Sequence, residues 1–201
     1  MSEWFTHWFG KEYLNLYPHR EDREPRFVVR LIRNTVAPLA DGRALDFACG
    51  SGWHTRALSR RTRTVGLDLS MELLGFAVSE SPPIPYVRAG MRTLPFAADS
   101  FDLVVNLFTS FGYFSSDDEN RVVLAEVSRV LRRGAVFVLD KEISATGFAR
   151  SFTERVRLFE RDELRCLLHN VGFAIENELG DYGAGPLSPA SPRAIFFAHR
   201  L

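Results

Sequence analysis

Two short stretches of this sequence carry residue types that could hold a ligand. The first is Asp46-Phe-Ala-Cys-Gly50-Ser-Gly52-Trp-His-Thr55. Gly50 and Gly52 lack Cβ, so the backbone can turn sharply and let a ligand approach closely, and the helix expected next presents free N–H groups. The second is Asp68, which ends the apolar run Thr64-Val-Gly-Leu-Asp68. A carboxylate there can accept hydrogen bonds from both hydroxyls of a ribose. A bend that takes an elongated polar ligand, paired with an acid that grips a ribose, implies a nucleoside.

Dinucleotides and S-adenosylmethionine both fit that pairing. A dinucleotide fingerprint wants G-x-G-x-x-G, its third glycine allowing close helix packing, and Thr55 holds that position. This disfavours a nicotinamide-dependent oxidoreductase. The turn instead resembles the D-x-G-x-G-x-G motif of class I S-adenosylmethionine-dependent methyltransferases, with Ala48 at the first glycine. The resemblance continues through Val65-Gly-Leu-Asp68-Leu-Ser70, Met91-Arg-Thr-Leu-Pro-Phe96, Ser100 to Phe114 and Val127-Ser-Arg-Val-Leu-Arg-Arg-Gly134, covering most of residues 44–140. Tyr13-Leu-Asn-Leu-Tyr-Pro-His-Arg20 and Ser188-Pro-Ala-Ser-Pro-Arg193 are similar to one bacterial subgroup whose acceptors are generally unassigned.

Carried over by position, the resemblance implies S-adenosyl-L-methionine as cofactor, S-adenosyl-L-homocysteine as its product, and transfer of a methyl group to a small-molecule acceptor. It places Gly50 and Gly52 beside the methionine part, Asp68 on the ribose, and Leu69 and Met91 at the adenine. Asp46, Ala48, Arg92 and Asn106 complete the cofactor side. Gly90 stands where an aspartate usually binds the adenine amino group, a loss expected to weaken binding about ten- to a hundredfold. On the acceptor side stand Phe108, Phe111, Tyr113 and Asp181, with His19 and Arg20 reaching the cofactor carboxylate or an anionic acceptor. Trp53 and Phe114 add aromatic faces, which stabilise a sulfonium cation. Methyl transfer needs no dedicated catalytic residue, and none is assigned. Subgroup members carry a longer insertion over about 143–157, so the short segment here implies a more open acceptor site, or one completed by the second chain of a homodimer. A non-catalytic S-adenosylmethionine-binding protein is the competing reading.

These positions need a sheet to hold them. Residues 3–39 read as helical, with Phe27, Leu31, Ile32 and Val36 forming an apolar stripe. Strands are expected at 44–48, 64–68, 86–88, 101–107, 135–139, 173–179 and 193–199. Helices are expected at 53–61, 71–79 capped by Ser70, from the Ser116/Glu119 capping box to Gly134, and at 160–171. Alternating strands and helices followed by two strands across a Gly/Pro loop describe an α/β fold. It is Rossmann-like and doubly wound, a mostly parallel seven-stranded sheet with an antiparallel C-terminal strand. The chain then divides into a helical N-terminal extension (1–39), a cofactor-binding core (43–140) and an acceptor-side part (141–201) within one domain. Asp140, Lys141 and Glu142 read as a solvated charge cluster, and Cys49, near a helix N-terminus, sits where a thiol pKa can fall.

The length of 201 residues and 46% hydrophobic content suit one compact unit. Twenty-five basic and 25 acidic residues give no net charge, which disfavours nucleic acid as a partner. Two cysteines without a CxxC pair fit the cytoplasm. No apolar run approaches the ~20 residues of a membrane span, and the five histidines lack metal-ligand spacing.

Overall fold

The computed structural model describes Phe5, Phe9 and residues 23–37, 41–80, 83–114, 116–142, 157 and 159–201. Five helices of the described residues alternate with seven strands. In chain order these are α1 (Arg23–Thr35), β1 (Arg43–Phe47), α2 (Trp53–Ser59), β2 (Arg63–Asp68), α3 (Met71–Glu80) and β3 (Tyr86–Arg88). They continue with β4 (Phe101–Asn106), α4 (Asp117–Val130), β5 (Leu131–Glu142), α5 (Arg161–Asn170), β6 (Phe173–Leu179) and β7 (Arg193–Arg200). The strand order is β3-β2-β1-β4-β5-β7-β6. All pairings are parallel except those of β7, which runs antiparallel to both β5 and β6.

Strand alternation splits the apolar side chains between two cores. Leu45, Phe47, Val104, Phe137 and Leu139 face α4 and α5 through Val123, Leu124, Val127, Leu164 and Leu168. Ala44, Leu103, Val105, Val136 and Val138 face α1 and α2 through Val28, Leu31, Ile32 and Leu58. With both faces covered, the central strands read as continuous apolar runs. Strand order reverses between β1 and β4, so the crevice at their carboxyl ends is where such sheets bind ligands.

Two local expectations shift. The helix from Ser116 stops at Val130 rather than at Gly134, and β5 begins at Leu131, paired with Phe101. Asp99 N and Ser100 N donate to the Arg129 and Val130 carbonyls, which removes the acceptors that a further helical turn would leave open. Gly134, at φ 73°, bends the strand instead. Helix α5 carries a reciprocal capping box between Glu160 and Glu163, where the sequence reading had marked only its end at Gly172. Of the N-terminal stretch expected to be helical, α1 is described and most of the rest lies outside the described residues. Among the described residues no helix is long and apolar enough to cross a membrane.

Candidate functional site

The chain leaves β1 through a bend with three left-handed residues: Ala48 at φ 58°, Gly50 at 54° and Gly52 at 78°. Cys49 N donates to Leu67 O at 3.0 Å, tying the bend to β2, and Gly52 N closes it by donating to Cys49 O at 3.0 Å. A Cβ on Gly52 would stand 2.5 Å from the Tyr86 hydroxyl, so glycine is required there by contact as well as by φ. Ala48 occupies the same backbone region with a side chain. Its departure from glycine is therefore a matter of backbone strain, of order 1–2 kcal/mol, and not of one methyl group's bulk.

Asp68 ends β2 and faces this bend. Its Oδ2 accepts Gly50 N–H at 2.8 Å and its Oδ1 accepts Ser70 N–H at 2.8 Å. Each oxygen keeps a lone pair beyond its amide partner, and an ionised carboxylate offers about four acceptor positions in all. Burial raises the Asp68 pKa above the usual carboxylate range, against the backbone N–H groups of Ser70, Gly50 and Leu69. Asp46, at the end of β1, is almost fully buried; burial pushes its carboxyl up to about 7, with the Thr55 hydroxyl opposing and the Asp68 charge adding. Thr55 Oγ1 donates to Asp46 Oδ2 at 2.7 Å. A hydrogen-bonding threonine that ties α2 to β1 thus fills the place of the third dinucleotide-binding glycine.

Across the switch point, Asn106 ends β4 fully buried and donates Nδ2–H to Phe47 O at 3.1 Å. Its Oδ1 has no partner among the described residues. A buried orphan acceptor costs about 1–3 kcal/mol, and a donor from a bound molecule would remove that cost. Leu69 is half-exposed, Met91 packs against the core edge, and nothing lies within 4 Å of the position a Gly90 Cβ would take. Arg92 is ion-paired with Glu119 and lies 4.6 Å over the Phe114 ring. The residues assigned to the cofactor thus gather at the carboxyl ends of β1, β2, β3 and β4, with Arg92 turned toward α4.

The residues expected on the acceptor side begin in a loop after β4 in which Phe108 (φ 56°) and Thr109 (φ 62°) are both left-handed. Asp140 holds them there. Its Oδ2 accepts Phe108 N–H at 3.2 Å and its carbonyl accepts Thr109 N–H at 3.2 Å. The same carboxylate accepts Tyr182 O–H at 2.7 Å and pairs with Arg193 at 2.5 Å. The Phe108 ring consequently stands 5.0 Å from His54 and 6.4 Å from Tyr182. Phe111 is buried and stacked on Phe159, whereas Tyr113 meets Phe5 and Phe9 of the N-terminal segment. Phe9 O also accepts the Ser70 hydroxyl.

Several placements correct the sequence reading. Asp140 and Lys141 are fully buried inside β5, and only Glu142 of that trio is exposed. Lys141 Nζ donates to Phe111 O at 2.7 Å, and burial lowers its pKa to about 7 despite Glu142 and Asp140 nearby. The Asp181 carboxylate accepts Gly183 N–H and Gly185 N–H, so it shapes its own loop. Burial and the Asp46 and Asp68 charges raise the Cys49 pKa, overriding any lowering by the helix end. Trp53 stacks under Arg56. His19 and Arg20 lie outside the described residues. Tyr182, Phe5 and Phe9 went unrecognised, whereas Arg193 had a signal as the last residue of the Ser-Pro-rich motif. Among the described residues no cluster of His, Cys, Asp and Glu could hold a metal.

Residues 44–134 match the family model described as a methyltransferase domain. The chain is 35% identical over 103 residues to a putative methyltransferase, YqeM, of Bacillus subtilis, covering 49% of this chain and 42% of that protein. It is 31% identical over 97 residues to a dTDP-3-amino-3,4,6-trideoxy-alpha-D-glucopyranose N,N-dimethyltransferase of Streptomyces venezuelae, covering 48% and 40%. The chain thus spans less than half the length of these relatives. Its fold matches a TehB-like SAM-dependent methyltransferase of Corynebacterium glutamicum with a TM-score of 0.76, at 21% identity over 94% of this chain and 95% of that one. The glycine bend and the acid at the end of β2 both lie inside the matched segment, so residues 44–134 carry a methyltransferase domain, and the chain as a whole, antiparallel β7 included, has the fold of the S-adenosylmethionine-dependent methyltransferase it matches.

Proposed function

We propose that the protein transfers a methyl group from S-adenosyl-L-methionine to a small-molecule acceptor. The observation that carries this reading is the Asp68 carboxylate turned onto the bend, 2.8 Å from Gly50 N, with a lone pair left on each oxygen. The residues fit the cofactor: open space surrounds Gly90, a Cβ on Gly50 would meet nothing closer than Leu73 at 3.9 Å, and Asn106 Oδ1 awaits a donor. When bound, S-adenosylmethionine supplies an electrophilic methyl group on a sulfonium. The bend then offers backbone amides, Asp68 orients the ribose, and Leu69 and Met91 flank the base.

On the acceptor side, Phe108, His54 and Tyr182 form an aromatic wall, and Phe5 and Phe9 cover Tyr113 to keep water out. Catalysis by alignment and exclusion of water needs no general base when the acceptor carries a free lone pair. The small-molecule assignment rests on the aromatic lining, the absence of net charge, and the amino-sugar acceptor named for the Streptomyces relative. Residues 43–140 form the cofactor-binding core, from which His54 and Phe108 reach the acceptor side, and 141–201 form the acceptor-side part, in one domain. Two free thiols, with Cys166 exposed, suit the cytoplasm. The homodimer is retained as part of the reading, and light scattering that returned a monomer mass would remove it.

The test is S-adenosylhomocysteine release from S-adenosylmethionine with a panel of amines, phenols and carboxylic acids. Turnover with one of them is expected. Tight cofactor binding with no turnover on any class, including nucleic acid and protein, would favour the non-catalytic reading.

A further inference from the structure

The far end of α2 carries a second concave feature, independent of the methyl-transfer reading. A cleft of about 220 Å³ lies between α1 and the α2–β2 turn, lined by Arg26, Arg30, Arg33, Arg60 and Arg61 and floored by Val29 and Ala57. Arg26, Arg30 and Arg33 follow one another at i, i+4 and i+7, so they share a face of α1. The opposite face buries Val28, Leu31 and Ile32 against the sheet, which fixes the arginine face outward over α2. All five arginines are exposed.

The charge distribution makes this cleft unusual for a chain with no net charge. Eight other arginines form ion pairs with carboxylates. No acidic side chain lines the cleft among the described residues, and no ion pair is formed there by Arg30, Arg33, Arg60 or Arg61. Helix dipoles account for part of the pattern, since Arg33, Arg60 and Arg61 stand at helix C-terminal ends. They do not account for Arg30, nor for several cations sharing one small volume.

We propose that this cleft is a binding site for a compact anion of linked phosphates, a diphosphate group. Guanidinium forks pair with phosphate oxygens two bonds at a time, and Arg30, Arg33, Arg60 and Arg61 together call for several negative charges in a small space. One carboxylate or one sulfate leaves most of the positive charge uncompensated. The volume is below the ~300–1,000 Å³ of sites that enclose a drug-sized molecule, which suits the diphosphate itself with any attached nucleoside outside. A long polyanion fits less well, because acidic residues equal the basic ones in number over the chain as a whole, leaving no net positive charge outside the cleft to attract it. The cleft lies seven residues of α2 away from the bend, or about 10 Å along the helix, so its ligand does not occupy the cofactor crevice.

The test is calorimetry on the full chain at low salt, with inorganic pyrophosphate, ADP and a short single-stranded oligonucleotide as probes, each with and without saturating S-adenosylhomocysteine. Expected are saturable one-to-one pyrophosphate binding that persists with S-adenosylhomocysteine present, and about tenfold or greater weakening in the Arg30→Ala/Arg60→Ala variant. ADP binding as tightly as pyrophosphate identifies a nucleotide tail lying outside; weaker ADP binding identifies free pyrophosphate as the ligand, and both uphold the site. Arg33→Gln/Arg61→Gln provides a second variant that removes the charge but keeps a polar side chain with the first part of the aliphatic stem, and an unchanged melting temperature shows that either pair leaves the fold intact. No saturable binding, wild-type affinity in both variants, or displacement by S-adenosylhomocysteine would overturn the proposal. Tighter binding of the oligonucleotide, lost in the same variants, would replace it with a nucleic-acid surface.

Discussion

Removing the carboxylate of Asp68 separates its observed hold on the bend from the ribose contact proposed for it. In Asp68→Ala, Gly50 N and Ser70 N lose acceptors at 2.8 Å each. Hydrogen bonds to a charged group contribute about 1.5–3 kcal/mol each, and water reaching this half-buried bend recovers part of that. The expected loss is about 2–4 kcal/mol of stability, or about 5–15 °C in melting temperature for a domain of this size. The ligand loses more. Two ribose hydroxyls on the two remaining lone pairs amount to about 3–6 kcal/mol before solvent compensation, so affinity for S-adenosylhomocysteine should fall at least tenfold and up to several thousandfold. Asp68→Asn keeps the shape but turns an amide N–H toward one backbone N–H, and should fall between wild type and alanine on both measures. Calorimetric titration paired with thermal denaturation reads both. A lower melting temperature with unchanged affinity would refute the ribose contact and leave Asp68 as a clamp on the bend alone.

Three further outcomes follow from the same geometry. Gly90→Asp enters open space and should tighten S-adenosylhomocysteine binding about ten- to a hundredfold; weaker binding by calorimetry would show that the base lies elsewhere. Ala48→Gly relieves a left-handed alanine of about 1–2 kcal/mol and adds about 0.4–1 kcal/mol of unfolded-chain entropy. The net gain of about 0.5–1 kcal/mol should raise the melting temperature by about 1–4 °C, and a fall would show that the bend is not left-handed at 48. The pH dependence of stability should have a minimum near neutrality. Asp46, raised to about 7, stays protonated in the folded state while the unfolded chain ionises, so stability falls as pH rises from about 4 to 7. Lys141, lowered to about 7, is neutral in the folded state while the unfolded chain stays protonated, so stability recovers from about 7 upward. The raised Cys49 thiol limits that recovery above its ordinary value of 9.0. Urea denaturation across this range, with Asp46→Asn and Lys141→Met as references, should flatten the acid-side and alkaline-side slopes respectively; parallel profiles would contradict the assignment.

The elements that were legible are those whose signals are local. Strand β3 at 86–88 and β6 at 173–179 stand where apolar runs and turn residues put them, and Ser70 caps α3 by accepting Leu73 N–H. The end of α4 was not legible, because Asp99 and Ser100, thirty residues earlier in the chain, take its last carbonyls. In the candidate site, the bend and Asp68 could be read because glycine and acid occur where a strand ends. The acceptor side could not. Asp140 and Lys141 read as solvated charge until β7 and the loop from residue 107 bury them, and Tyr182 and Arg193 meet Asp140 only through that tertiary packing. Buried charge networks leave no periodic trace in a sequence.

The paired left-handed residues Phe108 and Thr109 mean that the shape of the acceptor pocket proposed above is governed from beneath it. Their conformation is held by a carboxylate on the neighbouring strand, itself held by an arginine and a tyrosine near the chain's other end. Redesigning this pocket for a different guest is therefore a problem of moving a hinge pin rather than of trimming walls. Substitutions at 140, 182 and 193 would swing the Phe108 ring as a unit, whereas exchanging the ring itself leaves its mounting where it was.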